Sequence, residues 1–490
     1  MDGMNFTSKS KLSIRLRVSA SSLFILTAFS PLMLDSAEQE DFYEREDYKE
    51  HRTYDLSLDE RFEVTLFASP PQVEYVTAVS ADIDGTVYVS VDPNGSLGHI
   101  EGVGKIVTAK DTDGDGKADE FKDFVPMVQS PRGGHIVAGT YYLLHPPYLS
   151  TYKDTDGDGV MDVEKTLMKG FGGGIEHPRG ADHTTNGVRM GIDGWLYVSV
   201  GDFGMFDVVG TDGRVVRLQG GGVARCRPDG TELEVYVYHT RNQFDVAISP
   251  LLELFTRDNT NDGAGWNLRI HHLVAESDMG YPRLYENFPD EHLASLADFG
   301  GGSGMGGLFL DEPGFPVELN NRLYTCDWTS GKVFGFDMTP HKGSYAIKQT
   351  VLTDLERATD IDVDGRSNLY LADWKGGRFN FANGKPVGRI HMAKLKGYQA
   401  PAVPNLKTAK PLELVDWIAG PSASIRLQAQ QYLLQKELSQ AVIEKLKNIT
   451  QDKSVHLHMR VAALFTLKQG MGAKSHDFLV RILEDATIRA

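Results

Sequence analysis

The sequence predicts a mainly β protein: a six-bladed β-propeller followed by a small α-helical, HEAT-like repeat region. Three observations predict it. A motif of turn, short apolar strand and aromatic residue recurs six times between residues 62 and 396, which leaves somewhat more than fifty residues per copy. The hydrophobic period then changes from strand-like to helical after residue 410. Finally, 490 residues are too many for one ordinary core.

The copies are D-G-T-V-Y at Asp84 to Tyr88, G-T-Y-Y at Gly139 to Tyr142, D-G-W-L-Y at Asp193 to Tyr197, L-E-L-F at Leu252 to Phe255, N-R-L-Y at Asn321 to Tyr324 and S-N-L-Y at Ser367 to Tyr370. A repeat of this length holds four strands and their loops, which is one blade. A pair of β-sandwiches is the rival architecture, but it requires no sixfold pattern.

Taken in chain order, residues 1–37 read as a signal peptide. Lys9, Lys11, Arg15 and Arg17 precede an apolar stretch from Val18 to Leu34, and Ser36-Ala37 offers a cleavage point beside the awkward Asp35. Ser21, Ser22, Ser30 and Pro31 interrupt the apolar run, so it is marginal for a membrane span. Export to the periplasm or exterior is the expectation, with an uncleaved membrane anchor as the alternative. Residues 38–60 carry ten acids against Arg45, Lys49 and Arg52 and read as a solvated acidic linker. Phe62 to Ala68 opens the folded part, and the propeller is expected over 61–396.

Residues 397–410 form a linker by their proline content. Over 411–490, Leu412, Leu414, Val415, Ile418, Ile425 to Leu434, Val442, Ile443 and Leu446 recur at helical spacing. A second copy starts at Met459, and Arg460 follows Arg426 by 34 residues. Paired helices of this kind bury their faces by stacking, and two repeats fall short of the usual minimum of about three. Docking on the propeller or continuation in a longer protein is therefore expected.

Lys+Arg 50 against Asp+Glu 67 gives a net charge of −17, which excludes a basic nucleic-acid-binding surface. Cys226 and Cys326 make no disulfide framework and read as two buried free thiols, with mutual pairing as the alternative. No C-x-x-C-H occurs, so this chain cannot attach a c-type haem covalently.

D-T-D-G-D-G-K-A-D at Asp111 to Asp119 and D-T-D-G-D-G-V-M-D at Asp154 to Asp162 place carboxylates at alternate positions around glycine turns. Hard oxygen ligands converging on one point suit Ca2+. The twelfth position of each loop is lysine, Lys122 and Lys165, so an EF-hand is not expected. Asp111, Asp113, Asp115, Asp119, Asp154, Asp156, Asp158 and Asp162 are instead expected in short structural calcium loops on adjacent blades.

From His183 to Asp202 the chain runs from a polar loop through a tight turn and a strand to an acid nineteen residues after the histidine. If both emerge at the same end of a blade, they meet over the central cavity and can do general-base work. Arg241-Asn242 places a planar cation and an amide at the mouth of another blade. T-R-D-N-T-N-D at Thr256 to Asp262, expected after a strand, offers Asp258 and Asn259 as further metal ligands, while Lys332 and Arg357 stand near other blade boundaries.

The His183 to Asp202 segment, Arg241-Asn242, Gly280-Tyr281-Pro282 and R-A-T-D-I around Arg357 together resemble soluble sugar dehydrogenases dependent on pyrroloquinoline quinone (PQQ). The chain also resembles the membrane-bound dehydrogenase type of planctomycetes, in which such a propeller precedes HEAT repeats. The resemblance covers residues 55 to 490. It implies that His183 takes the proton of a sugar or alcohol hydroxyl and that Asp202 orients the imidazole. It further implies that Arg241, Asn242, Lys332 and Arg357 contact the quinone, with Asp258 and Asn259 near its calcium. Electrons would pass to a c-type cytochrome on another protein or extension. After Arg241-Asn242 the family's proline, glutamine and glycine are replaced by Gln243, Phe244 and Asp245, so one polar contact is missing. A non-catalytic calcium-stabilised binding propeller and a gluconolactonase-like metal-dependent hydrolase are the rival readings.

Overall fold

A computed structural model describes residues 58–178, 180–261, 266–284, 287–374 and 387–489. The expected signal peptide and nearly all of the acidic linker lie outside the described residues. Among the described residues, no helix is long and apolar enough to cross a membrane.

Six sheets form six blades. Blade 1 comprises Val76–Ala81, Val87–Val91, Gly104–Lys110 and Glu120–Val128. Blade 2 comprises Gly134–Val137, Thr140–His145, Tyr148–Lys153 and Val163–Lys169. Blade 3 comprises Thr185–Met190, Leu196–Val200, Gly221–Cys226 and Glu234–Thr240, with Ser277–Asp278 added in parallel at its outer edge. In blade 4 an interrupted first strand, Asn242–Gln243 and Ala247–Ile248, is followed by Leu254–Asn261, Trp266–Leu273 and Ala297–Gly301. Blade 5 comprises Gly304–Leu310, Arg322–Asp327, Lys332–His341 and Ser344–Asp354. Blade 6 takes Ala358–Val363, Leu369–Asp373 and Arg389–Leu395 from the end of the propeller and Phe62–Ala68 from its start. Pairing the first strand with the last closes the ring, so no blade is left to complete it with a free edge.

All six copies of the sequence motif fall at the turn into the second strand of a blade. The repeated aromatic has a physical role there: Tyr197, Phe255, Tyr324 and Tyr370 are buried between sheets. The first strands line the axis. The T-R-D-N-T-N segment does not follow a strand as expected; Leu254–Asn261 runs through it, because Thr256 to Asn261 pair residue by residue with Trp266 to His271.

Both aspartate-rich loops join the third and fourth strands of their blades, blade 1 and blade 2, and both pin the rim to the preceding blade. The Ala118 amide donates to Phe67 O at 2.8 Å, and the Met161 amide donates to Phe124 O at 3.0 Å. Cys226 and Cys326 are buried and unpaired, as expected.

Six helices follow: α1 (Pro411–Ile418), α2 (Ala423–Leu434), α3 (Gln440–Gln451), α4 (Leu457–Met471), α5 (His476–Ile482) and α6 (Ala486–Arg489). Helices α1 with α2 and α3 with α4 form two stacked hairpins. Ser422 caps α2 by accepting the Ile425 amide at 3.1 Å. The hairpins dock on the propeller face made by the turns between first and second strands. Ile83 enters their apolar core, Gln428 bonds Ile136 O and the Ala138 amide, and Gln430 and Gln469 both donate to Ile192 O. Docking buries the faces that two repeats alone leave uncovered.

Candidate functional site

The opposite face holds a cavity of about 520 Å³ on the axis, walled by blades 1, 3, 4, 5 and 6 and by Arg132 in the chain that enters blade 2. Its depth is set by where the second strands end. In blades 4, 5 and 6 that strand begins leucine-aromatic and reaches an acid four residues on: Leu254 to Asp258, Leu323 to Asp327 and Leu369 to Asp373. Each acid clamps the backbone entering its own blade. Asp258 accepts the Asn242 amide at 2.8 Å, Asp373 the Arg357 amide at 2.8 Å, and Asp327 the Ser303 amide at 3.5 Å.

Blade 3 departs from this rule. Its strand begins the same way at Leu196-Tyr197, but Val200 holds the clamp position and the acid comes two residues later, after Gly201. The strand ends at Val200, and Asp202 sits in the turn that follows, which the Gly204 amide closes onto Gly201 O at 2.8 Å. Asp202 consequently bonds the Nδ1 of the His183 imidazole instead of a backbone amide. Gly201 permits this approach, since a Cβ there would lie 2.4 Å from His183 O. His183 itself has φ +55°, a left-handed conformation that costs a non-glycine residue roughly 1 kcal/mol. Strain of this kind concentrates at functional positions.

The imidazole is 6% exposed and packs against Phe203 at 5.5 Å between ring centroids. Its Nε2 lies 3.7 Å from an Asp182 carboxylate oxygen. In the neutral imidazole, an ionised Asp202, which can only accept, places the proton on Nδ1 and leaves Nε2 its lone pair. Arg241 Nε stands 3.9 Å from the other Asp202 oxygen, and an Arg241 Nη donates to Asn259 O at 3.2 Å.

The remaining expected residues divide. Asn242 and Asn259 line the cavity with His183. Asp258 sits behind them, both carboxylate oxygens turned to the backbone amides of Arg241 and Asn242. Arg357 stands one layer back, its guanidinium 4.8 Å above the Trp328 ring and 3.3 Å from Thr329 O. Lys332 is not brought to the cavity: it opens the third strand of blade 5, and its amine pairs with Asp354 on the neighbouring strand. The calcium-loop aspartates lie at the outer rim, far in the chain's layout from the axis. Oxygens of Asp111, Asp113 and Asp115 lie within 4.8 Å of one another, as do those of Asp154, Asp156 and Asp162. Asp119 and Asp162 accept the Thr112 and Thr155 amides, and Asp158 accepts the Val160 amide.

Sequence reasoning missed Arg132, Asp182, Trp328, Thr359 and Trp374, all of which line the cavity. A signal existed for three. Arg132 stands just before the first strand of its blade, as Arg241 and Arg357 do, and Asp327-Trp328 repeats as Asp373-Trp374. The two indoles lie 6.4 Å apart at 55° and form an aromatic wall. Burial pushes the Asp92 carboxyl beside Arg132 up to about 6, against the pull of that guanidinium. Asn242 Oδ1, Asn259 Oδ1, Thr359 Oγ1 and Trp374 Nε1 are buried without hydrogen-bond partners. Such atoms cost free energy unless something else satisfies them. A flat ligand with oxygens to accept from Thr359 and Trp374, and an N–H or a bound cation to meet the two asparagine oxygens, fits this wall.

The fold and site together define a six-bladed β-propeller with a histidine and an aspartate paired at the mouth of its axial cavity. The chain belongs to the family described as Domain of unknown function (DUF7133), whose model matches residues 49–296. No curated protein matches the sequence. Among solved structures it is similar to the PQQ-bound aldose sugar dehydrogenase of Streptomyces coelicolor, with 13% identity over 69% of this chain and 99% of that one, TM-score 0.48. It is also similar to the PQQ domain of Coprinopsis cinerea pyranose dehydrogenase, with 11% identity over 70% and 97%, TM-score 0.48. A Trichoderma reesei carbohydrate-active enzyme of family AA12 gives 12% identity over 70% and 97%, TM-score 0.47.

Proposed function

We propose that the chain is an exported quinoprotein-type oxidoreductase that oxidises a sugar or alcohol with PQQ and passes electrons to a separate c-type cytochrome. One observation carries this reading: the acid that clamps backbone in three blades is diverted in blade 3 onto an imidazole facing the cavity. The motif resemblance supplies the reaction class.

In this reading the substrate hydroxyl donates to His183 Nε2 and its proton moves there. The imidazolium that forms lies between Asp202 on Nδ1 and Asp182 near Nε2, which balance its charge. When bound, the quinone supplies the two-electron acceptor that takes the hydride from the carbon bearing the hydroxyl. Thr359 Oγ1 and Trp374 Nε1 would donate to its carbonyl and carboxylate oxygens, Asn242 Oδ1, which can only accept, would take an N–H of the quinone, and the Trp328 and Trp374 rings would wall it on one side. Arg241 would orient Asp202, and Arg357 would back the indole wall. Asn259 keeps a free oxygen for a calcium ion there, whereas Asp258 is already engaged. The two rim loops would bind structural Ca2+ through Asp111, Asp113, Asp115 and Asp119 and through Asp154, Asp156, Asp158 and Asp162.

The test is dye reduction by purified protein supplied with PQQ and Ca2+ and offered a panel of sugars and alcohols. Turnover is expected, and His183→Ala should lower it about 10²- to 10⁴-fold with the fold intact. No dye reduction with any substrate, or full activity in the variant, would overturn the proposal.

A further inference from the structure

Arg132 is the only lysine or arginine among the described residues that line the cavity. Its place is dictated by the fold: it enters blade 2 beside the segment that carries Asp182 and His183, and the Gly133 amide ties it to the strand that follows them by donating to Asn186 O. The side chain is 5% exposed. A guanidinium has five N–H donors. One of them is committed, from Nη2 to Gly95 O at 2.8 Å. Nε has no partner, and the nearest Asp92 oxygen is 3.5 Å from Nη1 and itself accepts no hydrogen bond.

Arg132 is thus ion-paired with Asp92 only at 3.5 Å, whereas two other arginines near the axis sit closer to their acids. Arg257 is held by Asp327 and Gln349, and Arg189 by Asp245. A buried guanidinium with most of its donors idle is poorly satisfied, and a carboxylate satisfies it in a bidentate fork. The neutral hydroxyls of an ordinary hexose do so less well. Asp182, beside the imidazole, would repel the same carboxylate and so fixes which end of the ligand faces Arg132.

We propose that Arg132 is a specificity-determining anion anchor and that the sugar this cavity prefers is a sugar acid of the uronate class. The inference rests on the dehydrogenase reading only in taking the cavity as the substrate's site. The carboxylate sits on Arg132, and the hydroxyl to be oxidised sits at His183 Nε2.

Calorimetric titration of the full chain, without quinone or dye, tests it with D-glucuronate and D-glucose as probes. Glucuronate should bind about ten- to a hundredfold more tightly, the range of a charge-assisted hydrogen-bonded pair. Arg132→Gln should erase that preference, and Arg132→Lys should keep part of it. Equal affinities, no glucuronate binding, or a preference that survives Arg132→Gln would overturn the proposal. If Arg132→Gln fails to fold, Asp92→Asn removes the competing carboxylate and should tighten glucuronate binding several-fold; unchanged affinity would sink the idea. Dye reduction with neutral sugars alone would overturn this inference and leave the dehydrogenase reading standing. Tight glucuronate binding without dye reduction would do the reverse.

Discussion

The two halves of the propeller axis are built from the same six first strands, yet they treat polar groups in opposite ways. At the helix-capped end, Arg189 of blade 3 is buried against three carboxylates: Asp245 at 2.9 Å, Asp362 at 3.4 Å and Asp360 at 3.8 Å. Each carboxylate also accepts backbone amides. Asp360 takes the Val79 amide at 2.9 Å and Asp362 the Ala81 amide at 3.0 Å, which links blade 6 to blade 1. Burial, opposed by Arg189, holds the Asp360 carboxyl well above its ordinary range. At the open end, Asn242, Asn259, Thr359 and Trp374 leave buried polar atoms unmet. Orphaned atoms occur at the capped end too, on His135 and Glu312 Oε2, but there the Arg189 hub is satisfied and serves the closure of the ring, whereas the open end gathers its orphaned atoms around a cavity arranged for a ligand.

The largest test of this contrast removes the hub. Arg189→Met should destabilise the fold by about 3–5 kcal/mol, since it leaves three carboxylates of blades 4 and 6 buried without their cation. Urea unfolding measures it, and a loss below about 1 kcal/mol would show that the hub does not lock the blades.

A smaller effect belongs to the seam between hub and helices. Glu312 accepts the Ser424 amide and hydroxyl at 2.9 and 2.8 Å, and burial pushes its carboxyl from 4.5 up to about 7. A carboxyl raised in the folded state stabilises the fold below its unfolded value, and that contribution is lost as pH rises through 7. Glu312→Gln should therefore gain on the wild type by an amount on the order of 2 kcal/mol between pH 5 and pH 8. Parallel stability profiles across that window would remove Glu312 from the account.

The same contrast explains what the sequence disclosed. The six turn-strand-aromatic copies were legible because burial between sheets demands the same residues in every blade, and the helical period was legible because α1 and α3 each bury one face, while α2 and α4 lie between them and the propeller and are buried nearly all round. His183 and Asp202 were legible through their motif, and the blade 3 shift is visible once Leu196-Tyr197 is laid over Leu254-Phe255. Lys332 looked equivalent to Arg357 by position near a blade boundary, but it lies inside a third strand, where its side chain meets Asp354. Arg189 and its three acids were not legible, because they lie on three separate stretches of chain and meet only when the ring closes. The ring closure by Phe62–Ala68 was hidden for the same reason, since its partner is over three hundred residues away.

The smallest test concerns a single hydroxyl at the open end. Thr359 is 2% exposed and its Oγ1 has no partner, although it lies in the same first strand as Asp360, whose oxygens are both engaged. Removing an unsatisfied buried hydroxyl while keeping its shape relieves a desolvation cost, so Thr359→Val should be neutral or stabilising by up to about 1 kcal/mol. The same variant should weaken binding of PQQ, read by fluorescence titration, by several-fold if that hydroxyl meets the ligand. A variant that loses stability would mean that Thr359 belongs with the satisfied half of the axis. The boundary between the two halves would then run above residue 359 instead of between Thr359 and Asp360.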